Sequence, residues 1–132
     1  MSALARGGIV AALTLALACA RAEPARGVAP HTRWHTATVH GHTMYYATRG
    51  SGPTLVFLHG GGDSGEHSFA AQLDVFAEHH SIVAPDQVGQ GRTPDVPGPL
   101  SYTAMMEDTA ELLQMLNLRH ADIVGFSDGG IL

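Results

Sequence analysis

Hydrophobic and polar positions change rhythm several times along the chain, and each change marks an element. Trp34 to Val39 and Thr43 to Ala47 are short runs rich in Thr, Tyr and Val, separated by His40-Gly41-His42. They predict a β-hairpin with Gly41 supplying the turn. After the break at Gly50-Ser51-Gly52-Pro53, Thr54 to Leu58 is nearly all apolar, the pattern of a strand covered on both faces of a parallel sheet. Phe69, Leu73 and Phe76 then recur at helical spacing and predict a helix from Ser68 to His79. Ser81 to Ala84 reads as a short strand stopped by Pro85-Asp86, and Gln87 to Pro99, with three glycines and three prolines, as a turn-rich connection. Ser101 is the expected N-cap of a long helix. Met106, Leu113 and Leu116 are expected on its inner face, with Glu107, Asp108 and Glu111 early in it. Ala121 to Phe126 is a third buried-type strand ending at Ser127. The order strand, helix, strand, helix, strand is that of a βαβαβ unit with right-handed crossovers. No internal repeat interrupts it.

Upstream of Trp34 the pattern differs. Arg6 precedes an apolar stretch from Ile9 to Leu17, followed by small residues around Cys19, which is the layout of a secretory signal peptide over residues 1–22. Leu15-Ala16-Leu17-Ala18-Cys19 resembles a bacterial lipobox, and Ala18-Cys19-Ala20 and Ala20-Arg21-Ala22 fit ordinary cleavage sites equally well. The expected location is therefore outside the cytoplasm: periplasmic, secreted, or lipid-anchored through Cys19 to a bacterial membrane. Residues 23–33 read as a tether, and residues 34–132 as the folded part.

Composition narrows the function classes. Of the 132 residues, 45% are hydrophobic and 14% charged, the range of a globular domain rather than a disordered segment. With a formal net charge of -5 and no Lys/Arg cluster, the chain has nothing to attract a phosphate backbone, so nucleic acid is an unexpected partner. Cys19 is the single cysteine, so no intramolecular disulfide can form, and the cysteine pattern implies no metal site.

Candidate chemistry concentrates where two of the strands end. Gly125-Phe126-Ser127-Asp128-Gly129 follows the third strand. G-x-S-x-G at such a place has a mechanical reason. The chain must turn sharply from strand into helix, which forces the serine into strained dihedrals and lifts its hydroxyl above the sheet edge. The flanking glycines leave room for the close approach. The backbone N–H of Asp128 then points into the same space and can donate to an oxyanion. A glycine-rich loop, His59-Gly60-Gly61-Gly62-Asp63-Ser64-Gly65, follows the first central strand. On spacing alone, Gly60, Gly62 and Gly65 also fit a dinucleotide fingerprint, with Asp86 placed as its ribose-binding acid. That alternative leaves the serine turn and Asp86 to Thr93 without a purpose, and its helix would have to open sooner than Phe69.

Three segments together resemble the α/β-hydrolase superfamily, in its serine esterase and peroxidase-like branch: His59-Gly60-Gly61-Gly62, Asp86-Gln87-Val88-Gly89-Gln90-Gly91-Arg92-Thr93, and Gly125 to Gly129. The resemblance runs from about residue 36 to the end. It implies an α/β fold, a mostly parallel sheet with an N-terminal hairpin, truncated after the nucleophile elbow. It further implies Ser127 as nucleophile, Gly61 and Asp128 as backbone oxyanion donors, and His59 as a support of its loop. The expected substrate is a small molecule with a carboxylic ester or related acyl bond, cleaved through an acyl-enzyme with no metal or organic cofactor. Dehalogenases and epoxide hydrolases of this fold carry Asp in place of the serine, so the resemblance disfavours those activities. The family's acid and histidine follow the serine in the chain. All nine histidines here precede it: His31, His35, His40, His42, His59, His67, His79, His80 and His120. His31, His35, His40 and His42 are expected to be exposed polar residues, His79-His80 a solvated helix end and His120 a loop residue. The expectation is thus an N-terminal portion of a longer hydrolase, with the third strand left as an uncovered apolar sheet edge. The alternative is a non-catalytic fragment or binding protein of the same fold.

Overall fold

The computed structural model describes residues 31–132, so the expected signal peptide, Cys19 and most of the tether lie outside the described residues. The hairpin comprises β1 (Arg33–Val39) and β2 (His42–Gly50), antiparallel and registered with Val39 opposite His42. His40 (φ 41°) and Gly41 (φ 84°) both lie in the left-handed region, as a two-residue turn matching the twist of its strands requires. Then come β3 (Thr54–Leu58), a short helix α1 (Gly65–Ser68), α2 (Ala70–Ala77), β4 (Ser81–Pro85), α3 (Tyr102–Met115) and β5 (Asp122–Gly125). A 3₁₀ turn over Ser127–Gly130 follows. The sheet order is β1-β2-β4-β3-β5. β2 pairs antiparallel with β4, whereas β3 runs parallel to both β4 and β5.

Alternation along β3 sends its side chains to opposite faces and so builds two cores. Leu55 and Phe57 face α2, packing with Phe69, Leu73, Ala77, Ile82 and Ala84. The Phe57 ring lies 4.8 Å from that of Phe69 and 5.8 Å from that of Phe76. Val56 and Leu58 face the other way, toward Leu112 of α3 with Val39, Met44, Tyr46 and Val83. Helices therefore cover both faces. β4 and β5 lie on opposite sides of β3, so the strand order reverses there, and a crevice opens above the ends of β3 and β5.

Three expectations need correction. The single helix over Ser68 to His79 is two pieces, broken at Phe69 (φ −119°, ψ 19°), whose ring is buried at the break. In α3 the inner face is Met105, Asp108, Thr109 and Leu112, while Met106 is exposed. Leu113 and Leu116 pack partly buried against the core as expected, and Met106 alone faces out, because two of the four inward positions are polar and an apolar count passes over them. Finally, β5 has the composition of a buried-type strand but is exposed along its length, with Ile123 56% accessible, because it is the edge strand; the uncovered apolar edge also expected of it is present.

The polar position Asp108 explains part of the hairpin. Its carboxylate accepts from His40 Nδ1 and His42 Nε2, each at 2.9 Å, and Glu111 accepts the His40 amide at 2.7 Å. The i, i+2 spacing of the two histidines puts both on one side of the hairpin end, over α3. His40 and His42 are thus partnered rather than merely solvated, and the His42 side chain is only 18% exposed. His35 is engaged as well, bonded to Thr48 Oγ1 at 2.8 Å and stacked on Tyr46. The hydrogen bond to Asp108, with the charges of Glu111, Asp108 and Glu107 adding to it, raises the His40 pKa above its ordinary 6.5. A raised folded-state pKa means the clamp contributes fully below that ordinary value and fades as pH rises through the higher one. The urea midpoint of the chain should therefore fall as pH rises above the ordinary histidine value, and Asp108→Asn should flatten the dependence. An unchanged slope in Asp108→Asn would rule the clamp out as its source.

Candidate active site

The turn after β5 has the strain its sequence implies. Phe126 is extended (φ −121°, ψ 131°) and Ser127 switches to φ 53°, one of the few non-glycine residues with positive φ among those described. That conformation costs roughly 1–2 kcal/mol. It is held by the Phe126 amide donating to Leu58 O at 3.0 Å and the Gly129 amide donating to Phe126 O at 3.0 Å. A Cβ on Gly125 would collide with the carbonyl of Gly129, and one on Gly129 with that of Leu58. Both glycines are required by contact, not by backbone conformation, since neither has a positive φ. Ser127 itself is exposed to solvent.

The glycine-rich loop after β3 lies directly against this turn. A Cβ at Gly60 would sit 3.3 Å from Ser127 Cβ, and one at Gly61 would strike the Asp128 carboxylate. Ser127, Gly61 and Asp128 are thus brought together. Among the described residues, the Gly61 amide makes no loop or side-chain hydrogen bond, and the Asp128 amide belongs to a first helical turn, where N–H groups lack intrahelical acceptors.

His59 anchors the loop from below. It is 1% exposed. Its Nε2 accepts the Gln87 amide at 2.9 Å, so Nδ1 carries the proton and donates to Gly60 O at 2.7 Å. With both ring nitrogens committed in a neutral tautomer, His59 is a strut and cannot serve as a general base. The other described histidines that hydrogen-bond also do so away from Ser127: His67 to Asp63, His80 to Phe76 O, and the hairpin histidines as above. Asp63 accepts from Ser68 Oγ, the Ser64 amide and His67; the Ser68 bond leads in holding its carboxyl below the usual range.

Asp86, placed by the dinucleotide alternative at a ribose, is fully buried. Its carboxylate accepts the Gly65 amide and the Arg92 amide, each at 2.9 Å, and Gly91 packs against it so closely that a side chain there would clash. Both of its oxygens are engaged by backbone amides of the chain itself. Asp86 fastens the turn over residues 86–93 to the glycine loop, and Gly65 opens a helix of only four residues. The geometry is that of a loop brace, and the Gly60, Gly62, Gly65 fingerprint has no nucleotide-binding geometry behind it.

Two further residues reach this site that the sequence did not flag. Gln90 Oε1 accepts the Gly62 amide at 2.7 Å, and the Tyr102 hydroxyl donates to Asp128 Oδ1 at 3.0 Å. Gln90 lies within the Asp86 to Thr93 segment, where no role is expected of its side chain, and Tyr102 lies outside all three motif segments. Only Tyr102's place just after the Ser101 N-cap, at the start of the helix that overhangs the crevice, hints at its role.

Comparison with known proteins agrees with this geometry. Residues 53–132 match the model of the α/β hydrolase fold family, and the chain belongs to that family. An uncharacterised protein of Mycobacterium tuberculosis (strain ATCC 25618 / H37Rv) is 34% identical over 110 residues, covering 82% of this chain and 31% of that protein. A soluble epoxide hydrolase of Corynebacterium sp. (strain C12) is 31% identical over 96 residues, covering 73% of this chain and 33% of the relative. Among solved structures, the epoxide hydrolase CorEH superposes with a TM-score of 0.71 at 30% identity, over 76% of this chain and 35% of the other. The chain thus spans about a third of the length of the relatives it matches, and its fold is that of a hydrolase.

Gly129 tests the turn most sharply. Gly129→Ala should lower the unfolding free energy by more than ~2 kcal/mol in urea titration, because the new methyl has only backbone to displace. Gly130→Ala, whose Cβ would find its nearest neighbour at 3.7 Å, should cost far less. Equal effects of the two would mean the turn does not approach Leu58 as described.

Proposed function

We propose that this chain carries the nucleophile half of an exported serine hydrolase that cleaves a carboxylic ester or a related acyl bond through an acyl-enzyme. Ser127 is the nucleophile, and the amides of Gly61 and Asp128 hold the oxyanion of the tetrahedral intermediate. The observation that carries this reading is the left-handed Ser127 set beside Gly60 and Gly61, the arrangement of a nucleophile above two backbone donors.

The identity of the nucleophile selects the chemistry. Several relatives are epoxide hydrolases by name. A carboxylate that opens an epoxide leaves an ester, whose carbonyl water can then attack. A serine alkoxide would leave a dialkyl ether with no carbonyl to hydrolyse, and the enzyme would stop after one event. On an acyl substrate, by contrast, serine forms an ester and turnover can continue. Serine at position 127 therefore supports acyl transfer.

The serine hydroxyl still needs a base. Among the described residues every histidine bond goes elsewhere, so we place the catalytic histidine and its Asp or Glu partner in sequence beyond these 132 residues. The exposed β5 edge, with Ile123, Val124 and Phe126 accessible, fits further chain covering it. Export, as a soluble or Cys19-anchored protein, rests on the N-terminal pattern alone. By itself the 132-residue chain is then a nucleophile and two donors without a base, which supports the second reading, an inactive fragment.

A protein extended past Leu132 should hydrolyse p-nitrophenyl acetate and take up a fluorophosphonate probe. Ser127→Ala should lower turnover by at least about a thousandfold. The 132-residue chain alone should show no turnover above its own Ser127→Ala variant. Turnover that survives Ser127→Ala in the longer protein would exclude Ser127 as nucleophile. Serine-dependent turnover by the short chain would show that a base lies within it.

A further inference from the structure

Asp128 brings a negative side chain to the place where the reaction would build a negative oxygen. Its amide is one of the two donors in the reading proposed above, on which this inference rests. A carboxylate free to swing there would oppose the oxyanion by like-charge repulsion. In the structure that freedom is taken away. Oδ2 lies against the α-carbon of Gly61, the residue bearing the other donor, and Oδ1 accepts the hydroxyl of Tyr102 at 3.0 Å. Tyr102 is the first residue of α3, whose start is fixed by Ser101 Oγ accepting the Ala104 amide. The same helical turn braces the other loop. Gln90, which receives the Gly62 amide, lies with its Nε2 3.7 Å from the sulfur of Met105.

We propose that Tyr102 is a positioning residue for the oxyanion site: through Asp128 Oδ1 it holds the carboxylate against Gly61 and α3, which sets the spacing of the two donor peptides and keeps the charge off the oxyanion. The bond also favours the protonated phenol. Hydrogen bonding to Asp128, and then its charge, raise the Tyr102 pKa above that of an ordinary tyrosine. Displacing a group near the reacting atoms by as little as 1 Å can cost about a hundredfold in rate, so a partial loosening should cost less than that.

The test is phosphonylation of Ser127 in the 132-residue chain by a fluorophosphonate, with imidazole as external base and the adduct read by mass spectrometry. The serine oxygen bonds to phosphorus, fluoride leaves, and imidazole takes the proton, so no residue beyond the chain is needed. Tyr102→Phe should lower the maximal labelling rate about tenfold and leave the probe concentration for half-maximal rate unchanged. In an Asp128→Ala background, which keeps the donor amide but removes the acceptor through which Tyr102 acts, adding Tyr102→Phe should bring no further loss. A titration of the Tyr102 ring carbon resonance should show its raised pKa in the parent and a lower one in Asp128→Ala. Labelling of Tyr102→Phe at the parent rate would overturn the proposal, as would an equal slowing in both backgrounds. If Ser127→Ala took up as much label as the parent, the nucleophile reading itself would fail, and this inference with it.

Discussion

The candidate site depends on how closely two backbone segments approach at the top of the sheet. The carbonyl of Leu58, the last residue of β3, accepts the Phe126 amide and lies against the α-carbon of Gly129. That contact extends the β3–β5 ladder by one bond and brings the serine turn down beside the glycine loop. Any side chain at Gly125 or Gly129 would push the two apart, and Ser127 would lose its neighbours Gly60 and Gly61. The approach also fixes the left-handed conformation of Ser127, whose cost of roughly one or two kcal/mol is about what the burial of a single side chain such as Phe57 offsets.

The rest of the fold serves to hold those strand ends level. β3 has β4 on one side and β5 on the other, and its alternating side chains feed a core on each face. Loops after neighbouring strands at such a switch point part to opposite faces and leave a crevice between them. Buried polar groups then fix the loops: His59 spans Gly60 and Gln87, while Asp86 spans Gly65 and Arg92. These are short, fully satisfied bonds out of contact with water, where a missing partner would be expensive. The glycine loop is therefore braced at both ends although four of its seven residues are glycine.

Much of this was legible in the sequence because it rests on local rules. The two-residue turn at Gly41, the all-apolar β3, the Ser101 cap and the serine turn after β5 each follow from a few adjacent residues, and each stands where the pattern puts it. What the sequence did not reveal is long-range and polar. Asp108 joins His40 and His42 from more than sixty residues away, and Tyr102 reaches Asp128 across the crevice. An apolar count placed Met106 inside α3 because it had no means of knowing that Asp108 and Thr109 face inward to meet polar partners. The break at Phe69 was hidden for the opposite reason: a buried aromatic fits a helical period whether or not the backbone is helical there. Asp86 misled by spacing alone, since a strand-end acid at that distance from a glycine loop serves a ribose in one fold and a loop amide in another.

The central proposal is that the hydroxyl of Ser127 faces a pair of backbone donors, one from each loop. A crystal structure of the Ser127 phosphonyl adduct tests it most directly, because the phosphonyl oxygen stands where the oxyanion would. The account predicts that oxygen within about 3 Å of both the Gly61 and the Asp128 amide nitrogens, with the Asp128 carboxylate still on Tyr102. An adduct whose oxygen points to solvent, or is held by only one of the two amides, would contradict it.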